Sequence, residues 1–379
     1  NVYTMIFTLG NLGSKLISFF LIPLYTNALT TTEYGVVDLI ATVGTVAAPV
    51  LTLNICESVM RFALDKEANK DKITQIGTSL LLIGMVVGLV MFPICHLFNR
   101  ISQYSVFVYF YVISLAASQL YLCDLRGKEL LVYYSIGNVL HTFFIAALNI
   151  LFLVVFKGGI EGYLNAYIIA NILTATYALI MGKGYRSFSF LGVDKKLLQR
   201  MLRYSIVLIP NSFMWWIMNS SDRVMVSSMV GIAANGIYAV SYKLPTLVST
   251  LTTIFNQAWS YSAIREEGTE DENEYNNKIF RTLIGIVMLI GIGLITFMKP
   301  FLSIYVAKEY YVAWNYTPFL TVGCVYLTLA TFMATSYTVH KDSFGYLFSG
   351  MFGAIFNIIM NLCLRERARL IPFVIFIIM

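Results

Sequence analysis

The opening stretch "NVYTMIFTLGNLGSKLISFFLIPLYTN" (1–27) is an apolar run interrupted by a single charge, Lys15. A secretory leader carries an apolar core of only about 7–15 residues before a small-residue cleavage site. This run is far longer and leads into further apolar segments. At a rise of about 1.5 Å per residue, roughly 20 helical residues cross the 30 Å hydrocarbon core of a bilayer. The stretch therefore reads as a first membrane span, not a leader.

The rest of the chain repeats the pattern. Of its 379 residues, 58% are hydrophobic and 12% charged. A soluble domain carries about 25% charged residues, so this chain lacks the polar surface a water-soluble globule needs. Eleven segments read as spans: 2–27, 35–60, 73–98, 104–123, 131–156, 160–182, 205–229, 236–262, 281–298, 316–338 and 345–364. A twelfth is expected to begin near Leu370. Short alternating segments, which would signal a β-barrel, do not occur. The expected fold class is all-α, a polytopic membrane protein of two six-helix bundles around a central cavity, the second bundle incomplete.

Lysine and arginine set the orientation. With the N-terminus cytoplasmic, the inner loops hold most of the basic residues, densest in 183–204 (Lys183, Arg186, Lys195, Lys196, Arg200, Arg203). The outer loops hold only Arg100, Lys157, Lys299 and Lys308. Arg365, Arg367 and Arg369 fall outside, against the rule, and both chain ends are expected to be trimmed. In the longest inner loop, "VDKKLLQRMLRYS" (193–205) puts Leu197, Leu198, Met201 and Leu202 on one helical face and the basic residues on the other. It reads as an amphipathic helix on the inner leaflet, joining two halves. The expected organisation is a bundle over 1–182, a linker over 183–204 and a second bundle over 205–379. Gly35 and Gly236 fall at matching places, at the outer starts of spans two and eight, with Tyr34 and Tyr238 beside them. Such internal repeats are the usual build of secondary transporters.

Ionisable residues inside spans are functional-site hypotheses by default. Lys15 and Lys243 lie within spans one and eight and read as cavity-lining. Asp38 sits near the outer end of span two, where it either serves the cavity or reaches the surface. Glu57 and Arg61, at i and i+4, read as cavity residues or as a helix-end pair. Asp222 and Arg223 are sequence neighbours, about 100° apart on a helix, and cannot neutralise each other well. At least one must find a partner on another helix, and Pro210 upstream favours a kink. Lys15, Arg61, Arg223 and Lys243 form a basic set suited to phosphate, while Asp38, Glu57 and Asp222 are the acids for ion coupling or for holding those bases. The cysteines are scattered and read as small buried hydrophobes; the three histidines form no ligand pair. No metal site or catalytic constellation is expected, and no GxxxxGK[ST] motif occurs.

"GSKLISFFLIPLYTNALTTTEYGVVDLI" (13–40), Pro210 followed by Asp222-Arg223 and "GIAANGIYAVSYKL" (231–244), and the basic joint "DKKLLQRMLRYS" (194–205) together resemble bacterial polysaccharide-biosynthesis membrane proteins. These are the O-antigen and capsule repeat-unit flippases of the multidrug/oligosaccharidyl-lipid/polysaccharide exporter superfamily. The resemblance implies two six-helix bundles forming a V-shaped cavity. It also implies translocation of an undecaprenyl-diphosphate-linked oligosaccharide by alternating access across the bacterial cytoplasmic membrane. No cofactor is expected beyond an ion gradient or membrane potential. The implied partners are the lipid-linked oligosaccharide, membrane lipids, a polysaccharide polymerase and a chain-length regulator, with no nucleic acid. The tail "LCLRERARLIPFVIFIIM" (362–379) departs from the family's pattern. A drug or cation antiporter of the same superfamily is the rival expectation and would need a dominant acidic site. A membrane glycan polymerase would need a long extramembrane catalytic loop.

Overall fold

A backbone amide in hydrocarbon finds no water, so a chain this apolar must satisfy its polar groups within its own segments. The computed structural model is built accordingly from helices. It describes residues 17–65, 68–91, 102–187, 193–266 and 272–339, with isolated positions between 345 and 359. No strand occurs among the described residues. The helices are α1 (Ile17–Ala28), α2 (Thr31–Leu51), α3 (Ile55–Ala63), α4 (Lys70–Met91), α5 (Ser105–Gly127) and α6 (Leu131–Asn149). They are followed by α7 (Gly159–Met181), α8 (Lys195–Met229), α9 (Ile232–Lys243), α10 (Pro245–Glu266), α11 (Glu272–Tyr305) and α12 (Thr317–Val339). Seven described helical segments are long and apolar enough to cross a membrane: those of α2, α4, α5, α6, α7, α11 and α12. Large apolar side chains such as Val90, Leu289 and Phe297 stand exposed on their outer faces, as expected where lipid is the solvent.

The chain divides into two units, Asn1–Leu29 with Val36–Trp216, and Thr30–Gly35 with Ile217–Met379. The division falls inside α8, not in the connecting segment 183–204. The reason is local packing in the first unit. Ser58 Oγ donates to the Met201 carbonyl at 2.8 Å, Phe62 meets Tyr204 edge-on at 6.0 Å, and Trp216 Nε1 donates to the Thr42 carbonyl at 3.0 Å. The basic amphipathic segment is thus the first part of one continuous helix that runs through Pro210. Asp194 starts that helix, its carboxylate accepting from the Lys196 and Leu197 amides at 3.1 Å each. Those bonds, that from Leu197 foremost, hold its carboxyl below the usual range.

In the first unit, span two is not the continuous helix that 35–60 reads as. It breaks after Leu51. Leu53 and Asn54 adopt left-handed backbone (φ 51° and 54°), and the Asn54 amide reaches back to the Pro49 carbonyl at 2.6 Å. Left-handed backbone costs a non-glycine residue roughly 1–2 kcal/mol, so surrounding packing must hold the break. The buried side chains of Ile55, Val59 and Ser58 on α3 supply that packing. The cysteines are also not simply separate hydrophobes. Cys56 of α3 and Cys123 of α5 form a disulfide, Cα atoms 5.8 Å apart, while Cys324 is free and buried. Span five ends in a π-helical stretch, Ile150–Val155.

In the second unit, Trp259 of α10, Phe280 of α11 and Phe332 of α12 stack with ring centroids 4.9 and 5.2 Å from Phe332. Val248, Leu283, Val287, Cys324 and Val325 complete this core. Thr252 and Thr328 hydrogen-bond between α10 and α12 at 2.8 Å. At the start of α2, Thr30 and Glu33 form a capping box: the Thr30 amide donates to Glu33 Oε2 at 2.8 Å and the Glu33 amide to Thr30 Oγ1 at 3.3 Å. The two glycines that the sequence aligns then meet. A Cβ on Gly35 would collide with the Ile232 carbonyl oxygen, and one on Gly236 with the Thr31 carbonyl oxygen. Asn235 Nδ2 donates to the Gly35 carbonyl at 3.0 Å. Only glycine lets these helix starts approach so closely.

Gly35→Ala and Gly236→Ala should each destabilise the protein by about 1–3 kcal/mol, read as a lower melting temperature in detergent. Gly285→Ala, where an added Cβ meets nothing within 4 Å, should leave it unchanged or higher. Diamide-treated protein, unfolded and assayed for thiols, should have two fewer than fully reduced protein, and Cys56→Ser should abolish that difference.

Candidate transport site

The charges in the second unit lie where α8 meets α9. Asp222 is 6% exposed, and its Oδ2 accepts from the Tyr238 hydroxyl at 3.4 Å. Arg223, half-buried, stands over the Tyr242 ring at 5.8 Å from its centroid. Tyr238 and Tyr242 are one turn apart on α9 and stack at 6.1 Å. The adjacent acid and base thus diverge onto separate tyrosines. One ring offers a hydroxyl to the carboxylate, and the other offers its π face to the guanidinium. Val226, Tyr238 and Leu320 form the apolar floor. Lys243 is the last residue of α9, half-buried.

In the first unit Asp38 is 7% exposed. It lies inside the helix packing of α2, within electrostatic reach of Tyr111 on α5, and does not extend to the surface. A tyrosine series continues at this depth. Tyr111 and Tyr167 are 6.3 Å apart, Tyr167 and Tyr163 stack at 4.7 Å, and Tyr163 meets Tyr25 edge-on at 5.1 Å. Glu57 is exposed on α3. Arg61 is not its partner: Arg61 Nη1 pairs instead with Asp65 Oδ1 at 2.7 Å, both side chains more than half exposed. Lys15 lies outside the described residues.

Two polar clusters escaped the sequence reading. Lys128 Nζ binds Asp124 Oδ2 at 2.7 Å and the Gly182 carbonyl at 2.8 Å, while Thr74 Oγ1 donates to Asp124 Oδ1 at 2.6 Å. The Asp124 and Lys128 side chains are 3% and 8% exposed. This pair ties together neighbouring ends of α4, α5 and α7. Its i, i+4 spacing in "CDLRGK" (123–128) was the available signal, but such a pair at a helix end looks like a solvated one. The second cluster joins His141 on α6 to Asn171 on α7 at 2.9 Å. Among the described residues no group of three or more His, Cys, Asp or Glu is placed to hold a metal ion.

The fold is all-helical and polytopic, with charges housed inside its helix packing. Solved structures of transporters resemble it. One is the inward-facing form of a multidrug resistance MATE family transporter of the MOP superfamily, with TM-score 0.65 and 16% identity over 98% of this chain and 90% of that one. Another is a MOP superfamily transporter from Pyrococcus furiosus described by the reverse polarity of its binding pocket (0.56, 13%, 100% and 90%). A third is the Vibrio cholerae MATE transporter VcmN (0.54, 14%, 99% and 90%). At these identities the likeness establishes the fold. The sequence pattern of the polysaccharide biosynthesis protein family matches residues 3–261, and the chain belongs to that family. No curated protein matches it.

Two of the ion pairs of the first unit should behave oppositely. Lys128→Met leaves a buried carboxylate unpaired and should cost about 3–5 kcal/mol. Arg61→Met removes an exposed pair and should leave stability nearly unchanged. Melting temperatures of the purified variants in one detergent measure the difference.

Proposed function

We propose that the protein moves an undecaprenyl-diphosphate-linked oligosaccharide from the inner to the outer leaflet of the bacterial cytoplasmic membrane, by alternating access. The observation that carries this reading is the polysaccharide-biosynthesis family match over 3–261 in a chain with a transporter fold. A glycan on a diphosphate cannot cross hydrocarbon unaided, because its hydroxyls and charges would be stripped of water. A protein of this family that offers a polar path answers that need.

Lys15, Arg61, Arg223 and Lys243 are assigned to the diphosphate or to acidic sugars. Guanidinium groups bind phosphate oxygens through paired N–H donors, and an ammonium acts as a point charge. The half-buried position of Arg223 on α8, over the Tyr242 ring, supports this assignment. Asp38, Glu57 and Asp222 are assigned to ion coupling or to holding the bases. An ion gradient or the membrane potential supplies the energy, with no cofactor. The N-terminus is assigned to the cytoplasmic side, and a polymerase and chain-length regulator would take the delivered glycan. The drug-antiporter reading draws on the fold relatives alone, whose likeness extends to fold only.

Proteoliposomes loaded with a fluorescent lipid-linked oligosaccharide provide the test. Arg223→Ala should slow translocation by about tenfold or more, the loss expected when a charge-assisted hydrogen bond disappears. Lys15→Ala should slow it comparably. Unchanged rates in both variants would overturn the basic-site assignment. Drug efflux without glycolipid movement would favour the antiporter.

A further inference from the structure

The charged residues considered so far leave aside a titratable side chain near mid-membrane. His141 lies ten residues into α6, about 15 Å along its axis from Leu131, and Asn171 lies twelve residues into α7, about 18 Å from Gly159. Both are near the middle of a hydrocarbon layer about 30 Å thick. Asn171 is 1% exposed and His141 half-buried. An ionisable group at this depth is costly to keep unless it is used.

The hydrogen bonds around it define its protonation. Ser114 Oγ donates to the Tyr111 carbonyl at 3.0 Å. Its oxygen is left to accept from Asn171 Nδ2, which lies 3.4 Å away. The amide lies with Oδ1 toward His141 Nε2 at 2.9 Å; Ser118 Oγ, 3.3 Å from Oδ1, gives its closer hydrogen bond to the Leu115 carbonyl at 2.9 Å. A carbonyl oxygen only accepts, so Nε2 must carry a hydrogen. In the neutral ring the basic lone pair is then on Nδ1. A proton that adds there forms imidazolium without breaking the Asn171 bond, which becomes charge-assisted and shorter-range in its preference. When the proton leaves, the same tautomer returns.

No charged side chain acts on His141 among the described residues. The groups facing it are Asn171 from α7 and, through Asn171, Ser114 and Ser118 from α5. The titratable side chains within about two turns on these helices are Tyr109, Tyr111, Tyr121 and Asp124 on α5, the last paired with Lys128, Tyr134 on α6, and Tyr167 and Tyr177 on α7. Asp38 lies within electrostatic reach of Tyr111. One imidazole and one amide oxygen do not offer the several oxygens that a sodium ion needs. They do suit a proton.

We propose that His141 is a reversible proton-binding site within the first unit, held ready by Asn171, through which the transporter draws on a proton gradient. The gradient-coupling part rests on the transport function proposed above; the proton site itself does not. Protein carrying His96→Gln and His340→Gln retains His141 as its sole histidine and can be labelled with ¹⁵N-histidine in nanodiscs. The NMR signals should report the Nε2–H tautomer at high pH and imidazolium at low pH. An imidazole that stays neutral throughout overturns the proposal, whatever the cargo. In proteoliposomes, an imposed proton gradient should accelerate glycolipid translocation in the parent protein. His141→Gln should lose at least tenfold of that acceleration while keeping gradient-free exchange. Equal acceleration in both overturns the coupling role. A parent protein that moves no glycolipid would overturn the flippase reading instead, and the titration would then decide the proton site alone.

Discussion

Hydrocarbon gives no hydrogen bonds, and every feature of this protein is arranged around that deficit. Helices satisfy the backbone from within. The apolar side chains that would sit inside a soluble protein are turned outward here, as on α6 and α11. What remains for the interior is the small set of polar side chains, and each needs a partner inside the fold. Threonines and serines meet part of this demand locally, as Thr42, Thr174 and Thr252 do by donating to the carbonyl one turn back.

Charges cannot be satisfied that way, and the protein deals with them by depth. At neighbouring ends of α4, α5 and α7, Asp124 and Lys128 neutralise each other and collect a hydroxyl and a carbonyl besides. Where α8 meets α9, Asp222 and Arg223 are met by tyrosines. Near mid-membrane, an imidazole takes an amide as its partner.

Much of the fold was legible because it depends on properties that add along the chain. Apolar length reveals membrane-crossing helices, and Gly35 and Gly236 reveal matching helix starts. Features that depend on pairs of distant residues were not legible. Arg61 has carboxylates at i−4 and i+4, and spacing alone does not choose between Glu57 and Asp65. The break at Leu53 and Asn54 has no glycine to announce it; Pro49 is the only local hint, and packing on α3 holds the strained backbone. Cys56 and Cys123 meet because α3 and α5 run side by side. His141 looked idle because its partner, Asn171, is thirty residues away.

By itself the sequence determined that this is an all-helical membrane protein and that Gly35 and Gly236 occupy matching places. These follow from composition and period, which a bilayer reads residue by residue. Only the tertiary structure decided that those glycines touch, that α8 is one helix divided between two packing units, and that Asp222 and Arg223 part company onto Tyr238 and Tyr242. The physical reason is range. Transfer into lipid is a property of each side chain, whereas close approach, hydrogen bonding and ring contact act over a few ångströms between residues that folding alone brings together.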